Sequence, residues 1–264
     1  MFDYHMHTKS SFDSTAEPAD MAKAAKNAGL SEICLTNHVD INHVFPKGSF
    51  PFDLNEIAAD YASVKEGVDG VTVKYGVELG VETCTAAEYE QLLDKLDFDF
   101  IICSQHFVNG IDPFFGDEYF SGKTLREAFE QHLLANLEVL RRFKRYSVVG
   151  HLGYPAKYCK DTPTVIGMSD YGDIIDEILK TVIADGKGIE VNTSGIAITG
   201  EPMAAYSVVA RFLELGGEIV TMGSDSHDPS RVGDRFHEVR ERLLSIGLKY
   251  VCTFSQMNPE FHLL

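Results

Sequence analysis

A parallel α/β barrel is the fold that this sequence predicts, on three observations. Short β-branched or aromatic runs alternate with longer amphipathic segments along all 264 residues, the pattern of parallel strands joined by helices. Eight strand candidates suit a chain near the roughly 250 residues typical of such barrels. The longest connections and most of the histidines follow strands, on the side where a barrel assembles its active site.

The elements follow in order. FDY (2–4) is the first strand; a polar loop leads from it to a helix over 17–28, closed by Gly29. EICL (32–35) precedes a helix over 54–66 that ends at Gly67. VTVKYGV (71–77) precedes a helix over 86–96. FDFIICS (98–104) runs into a long connection, 105–123, and a helix over 124–143. SVVG (147–150) is followed by the connection 151–170 and a helix over 171–185. GIEV (188–191) gives way to the connection 192–202 and a helix over 203–215, closed by Gly216. EIVTM (218–222) precedes a helix over 232–246, closed by Gly247. Glycine suits these closing positions because it tolerates a left-handed cap. The last run, YVCTF (250–254), has no helix after it, so it is either an eighth strand or an appendage to a seven-stranded barrel. No repeat, low-complexity tract or linker divides the chain, and one domain over 1–264 is expected.

Charge narrows the function. Lys+Arg number 23 and Asp+Glu 40, a formal charge of −17. That balance counts against nonspecific binding to nucleic acid, which draws its affinity from neutralised phosphates, and against anionic membranes. No apolar stretch approaches the roughly 18 residues of a membrane span. The N-terminus lacks the basic-then-apolar pattern of a signal peptide. Five cysteines without a CxxC pair suggest free thiols. The expectation is a cytoplasmic protein with a small-molecule partner, neither nucleic acid nor membrane; oligomeric state is left open.

The informative feature is where the histidines fall. His5 and His7 end the first strand, His38 comes three residues after the second, and Glu78 follows the third. His106, His151, and the pair Asp225 and His227 follow the fourth, fifth and seventh. In a parallel barrel these ends converge on one mouth. Residues i and i+2 of a strand share a face about 7 Å apart, so His5-Met6-His7 presents two imidazoles side by side. Gly223-Ser224-Asp225-Ser226-His227 repeats the device with one oxygen and one nitrogen ligand. Glu78 has two oxygens and can bridge ions. Asp13, in a polar loop, has the least support from spacing. His43, His132, His237 and His262 lack a strand-end position and are not taken as ligands.

Nitrogen-rich sites select Zn²⁺, Fe²⁺ or Mn²⁺ over Mg²⁺ or Ca²⁺. Six histidines and three carboxylates exceed one tetrahedral ion and suit two or three sharing a carboxylate. Such clusters acidify water and clamp the oxygens of an in-line displacement, so a hydrolase is expected. Phe45, Phe50, Phe52, Phe114, Phe115, Tyr119, Phe120, Tyr154 and Tyr158 lie in the mouth segments, to wall a pocket or pack over the rim. Arginine is the natural bidentate partner of phosphate, which makes Arg235 the first candidate, with Arg231 and Arg126 behind it. Glu17, Asp40, Asp112 and Asp117 lie in mouth loops and are candidates to meet a cationic group.

HxH at the amino end, single His and Glu ligands at successive strand ends, and a late GSDSH resemble the polymerase and histidinol phosphatase (PHP) superfamily, particularly its stand-alone histidinol-phosphate phosphatases. The motifs run from His5 to His227. The resemblance implies a distorted (β/α)7 TIM-like barrel, with residues 248–264 as a C-terminal appendage. It implies up to three metal ions: one on His5, His7, Glu78 and Asp225, a second sharing Glu78 with His106 and His151, and a third on Asp13, His38 and His227. This match also supports Asp13, since the phosphatase branch often carries aspartate there. The implied reaction is hydrolysis of L-histidinol phosphate in histidine biosynthesis. Glu78 is its bridging carboxylate, and Asp225, His227 or a metal-bound water is the candidate to protonate the leaving alkoxide.

Three other readings stand beside it. One is an esterase or exonuclease acting on nucleotides or nucleic-acid ends, which the superfamily also contains. Another is an amidohydrolase, which would want a strand-end lysine. The third is a noncatalytic metal-binding module, disfavoured by the completeness of the ligand set.

Overall fold

The computed structural model describes every residue except 47, 95, 160 and 161. Position 95 of the helix expected over 86–96, and positions 160–161 of the connection expected over 151–170, lie outside the described residues.

Seven parallel staves stand in chain order among the described residues. They are β1 (Phe2–Asp3), β2 (Glu32–Leu35) continued by β3 (His38–Val39), β4 (Thr72–Gly80), β5 (Phe100–Ser104), β6 (Val148–Val149), β7 (Gly188–Asn192) and β8 (Val220–Gly223). β2 and β3 form one stave because both pair with β4 in unbroken register, Leu35 opposite Tyr75 and His38 opposite Glu78. The ring closes where the first stave meets the last. Tyr4 donates its backbone N–H to Met222, Asp225 donates to His5, and His7 donates to Ser226, at 2.8–2.9 Å. The sheet is thus nearly closed into a barrel, the distorted TIM-like form expected.

Alternation along the strands separates the barrel interior from its jacket. Ile33, Val73, Val77, Ile101, Val149, Ile189, Val191 and Val220 belong to the large core shared with the helices. Cys34, Phe100, Ile102 and Val148 point the other way and pack inside with Tyr4. The same alternation turns Glu78, Glu190 and Asn192 inward, one layer higher.

The helices are α1 (Pro18–Asn27), α2 (Leu54–Val64), α3 (Ala86–Leu93), α4 (Gly116–Phe120), α5 (Leu125–Arg142), α6 (Met168–Ala184), α7 (Ile196–Thr199), α8 (Tyr206–Glu214) and α9 (Phe236–Ser245). Their starts have local causes. Pro18 opens α1, Asp53 caps α2 by accepting from the Asn55 N–H, and Thr124 with Glu127 forms a capping box on α5. The four glycines expected to close helices all have positive φ, from +73° to +98°. His132 lies buried within α5, its Nε2 2.7 Å from the carbonyl of Gln105.

The chain ends in an antiparallel hairpin, β9 (Tyr250–Ser255) and β10 (Asn258–Leu263), outside the barrel sheet. Its two-residue turn places Gln256 and Met257 at φ 49° and 65°. β10 escapes the sequence pattern because it contains Pro259 and alternates weakly. β9 closes the end of the barrel remote from the nine predicted ligands. Phe254 packs on Phe100 at 4.9 Å between ring centroids, and its backbone N–H donates to the Tyr4 hydroxyl at 2.8 Å. With one end plugged, the inward polar groups are reachable only from the C-terminal ends of the strands.

Candidate metal centre

Glu78 is the hub. It is the seventh residue of β4, a strand that runs three residues beyond its expected end, so its side chain points into the barrel instead of standing above it. Its oxygens face different histidines. Oε1 lies 2.8 Å from His151 Nε2 and 3.2 Å from His106 Nε2. Oε2 lies 3.1 Å from His5 Nε2, 3.2 Å from His38 Nδ1 and 3.5 Å from His7 Nε2. Asp225 approaches from β8, with Oδ1 3.4 Å from His7 Nε2 and 3.7 Å from His5 Nε2. On the outer side, Asp13 Oδ2 lies 3.0 Å from His227 Nε2 and 3.5 Å from His38 Nε2. All nine predicted ligand positions therefore meet in one cluster.

This arrangement fits divalent ions. His5 Nε2, His7 Nε2, His38 Nδ1 and Glu78 Oε2 are buried atoms with no hydrogen-bond partner. Leaving such groups unpaired is costly, and all four converge on one place. Four overlapping sets of three donors have the spacing of an ion site: His5, His7, Asp225; Glu78, His106, His151; His7, His38, His227; and His38, Asp40, His106. Mixed nitrogen and carboxylate donors suit Zn²⁺, Mn²⁺ or Fe²⁺. The grouping is that of two or three divalent ions.

Electrostatics follows from the geometry. Burial opposes charge on His5, but the Glu190, Glu78 and Asp225 carboxylates outweigh it and hold its pKa well above the usual histidine value. His7 is pushed well below by burial and by the neighbouring His227 and His38. Burial would neutralise Glu78, yet His5, His106 and His38 hold it ionised. Asp225 is likewise kept ionised against burial by Lys157 and His5.

Three functional side chains were not assigned these roles from sequence. Asp40 lines the cavity above the cluster, where a substrate contact was expected, and its Oδ1 also lies 3.0 Å from His106 Nδ1, placed to orient that ring. The signal was available: His38 and Asp40 have the same i, i+2 spacing as His5 and His7. Glu190, the one charged residue of β7, lies 2.5 Å from His5 Nδ1. Lys157, on the 3₁₀ turn Tyr154–Tyr158 after His151, places Nζ 3.0 Å from Asp225 Oδ2. Nothing in the spacing singles it out.

A cavity of about 390 Å³ opens above the cluster, walled by Phe12, Phe50, Phe114, Phe115, Tyr154 and Tyr158. Tyr119 and Phe120 pack together away from it. None of the three candidate arginines lines it. Arg235 pairs with Glu238 at 3.3 Å, Arg231 with Asp234 at 2.8 Å, and Arg126 reaches the backbone oxygen of Asp170 at 3.3 Å. Nearby surface acceptors occupy all three, and among the described residues the cation lining the cavity is Lys157.

A PHP domain family profile matches residues 3–194. The histidinol-phosphatase of Lactococcus lactis is 32% identical over 256 residues, 97% of this chain and 94% of the relative. A probable histidinol-phosphatase of Clostridium acetobutylicum is 30% identical over 95% of this chain and 96% of its own. Among solved structures, the histidinol phosphate phosphatase of Lactococcus lactis, complexed with zinc, L-histidinol and phosphate, superposes with a TM-score of 0.88 at 31% identity, covering 98% of both chains.

Proposed function

The chain belongs to the PHP domain family, and we propose that it is a metal-dependent phosphomonoesterase that hydrolyses L-histidinol phosphate to L-histidinol and phosphate in histidine biosynthesis. The observation that carries this reading is the division of Glu78 between two histidine sets at the floor of a cavity sized for a small ester. Relatives matching this chain along nearly its whole length supply the substrate.

One ion would sit among His5, His7, Asp225 and one oxygen of Glu78, a second among the other oxygen, His106 and His151, and a third among Asp13, His38 and His227. Ions bound there acidify water and neutralise phosphate charge. The chain's own residues do the rest. Lys157, beside Asp225 in the cavity wall, takes a phosphate oxygen as a point charge, the role expected of an arginine. Asp225 is held ionised by Lys157 and His5 against burial, so the proton for the leaving alkoxide comes from His227, when only the first two ions are held, or from a metal-bound water. Asp112 is buried in the cavity wall, its Oδ1 accepting from the Phe114 N–H at 2.8 Å and the Tyr154 hydroxyl at 3.2 Å. Its carboxylate, ringed by aromatics, suits the cationic part of histidinol. Glu17 and Asp117 are exposed, and Glu17 pairs with Lys9.

Among the described residues no helix is long and apolar enough to cross a membrane. The five free cysteines, four of them buried, suit a reducing cytoplasm.

Phosphate release from L-histidinol phosphate, measured beside adenylate and an aryl phosphate on metal-loaded protein, tests the reading. The expected kcat/KM is at least about a hundredfold higher for histidinol phosphate, a preference worth roughly 2.7 kcal/mol. Equal or better turnover of adenylate would replace the substrate with a nucleotide.

A further inference from the structure

We infer that Glu190 is a positioning residue for the metal centre: one buried carboxylate fixes the ring of His5 and the backbone of His151, ligands that face opposite oxygens of Glu78. The inference rests on the metal-site reading above. Glu190 belongs to none of the donor sets with the spacing of an ion site, so that reading leaves its charge unused. It is 1% exposed and points inward from β7. A buried carboxylate is costly unless every oxygen is occupied, and here both are.

Oε1 stands 2.5 Å from His5 Nδ1. A carboxylate only accepts, so Nδ1 carries the proton and donates it. In the neutral ring that holds an ion, the lone pair of His5 is then on Nε2, the atom 3.1 Å from Glu78 Oε2. Oε2 accepts the His151 backbone N–H at 2.7 Å and an N–H of Asn192 at 3.3 Å. His151 sits at φ +20°, which a residue with a β-carbon adopts only when its surroundings impose it. The hydrogen bond to Glu190 is such a constraint, and it aims Nε2 at Glu78 Oε1. Opposite, Gly223 leaves the room required: a β-carbon there would collide with Glu190 Oε1 and stand 2.5 Å from the β-carbon of His5.

Glu190→Gln tests the inference. An amide offers one acceptor and one donor, so one contact must break. If the amide oxygen stays on His151, its NH₂ faces His5 Nδ1 and forces the proton onto Nε2, where the ion belongs. The expected result is a 10- to 100-fold weaker affinity for one bound ion, read by competition with a zinc chelator, with an unchanged far-UV circular dichroism spectrum. In zinc-loaded wild type, nitrogen-15 NMR should show His5 protonated at Nδ1, with a downfield proton that Glu190→Gln loses. Unchanged zinc affinity in a folded Glu190→Gln protein overturns the inference. So does a wild-type spectrum with the His5 proton on Nε2, which decides the matter alone if the variant does not fold. Neither readout requires turnover, so failure on histidinol phosphate leaves this test intact.

Discussion

Glu78→Gln lowers kcat/KM on L-histidinol phosphate by about a thousandfold or more while the protein stays folded. The size follows from the position. Five histidines present nitrogens to the two carboxylate oxygens, and each oxygen belongs to a different set. Glutamine keeps the shape but supplies one acceptor in place of two, and turns an NH₂ toward lone pairs that must hold an ion. Losing one charge-stabilising contact in a transition state typically costs about 10²–10³. Here the substitution also weakens the binding of the ions themselves. Steady-state kinetics with metal content measured on the same sample checks this. A variant with full metal and more than a tenth of wild-type activity would mean that Glu78 does not join the two sets.

Stripping metal with a chelator lowers Tm by roughly 7 °C as well as abolishing turnover. Ions that bind only the folded protein stabilise it by mass action, about 4 kcal/mol at a thousand times Kd. For a chain of 264 residues that corresponds to the stated shift in Tm. Part of the effect has a visible structural source: the unpartnered His5, His7, His38 and Glu78 atoms are buried and gain a partner when an ion binds. Differential scanning calorimetry before and after chelation, and again after restoring Zn²⁺ or Mn²⁺, reads it. An unchanged Tm would mean that these atoms are not ligands.

The barrel was legible because parallel strands buried on both faces leave compact apolar runs, and because helix ends carry Pro18, Thr124 and closing glycines. The centre was legible because strand ends are brought together by the fold whatever their separation in sequence: His5 and Asp225 meet although 220 residues apart. The lysine in the cavity wall was not. Arg235, Arg231 and Arg126 are drawn to nearby acceptors such as Glu238, Asp234 and the Asp170 backbone, which a one-dimensional reading does not weigh. Lys157 reaches the cavity because the chain after His151 tightens into a 3₁₀ turn, and that path depends on packing. Asp40 and Glu190 read as loop and strand residues until their bonds to His106 and His5 are visible.

The most direct test is to titrate Mn²⁺ or Zn²⁺ into metal-depleted protein and follow phosphate release from L-histidinol phosphate against bound metal. A centre in which Glu78 joins two ions predicts negligible turnover with the first equivalent and a steep rise with the second. Full turnover in excess chelator, or after a single equivalent, would contradict the account.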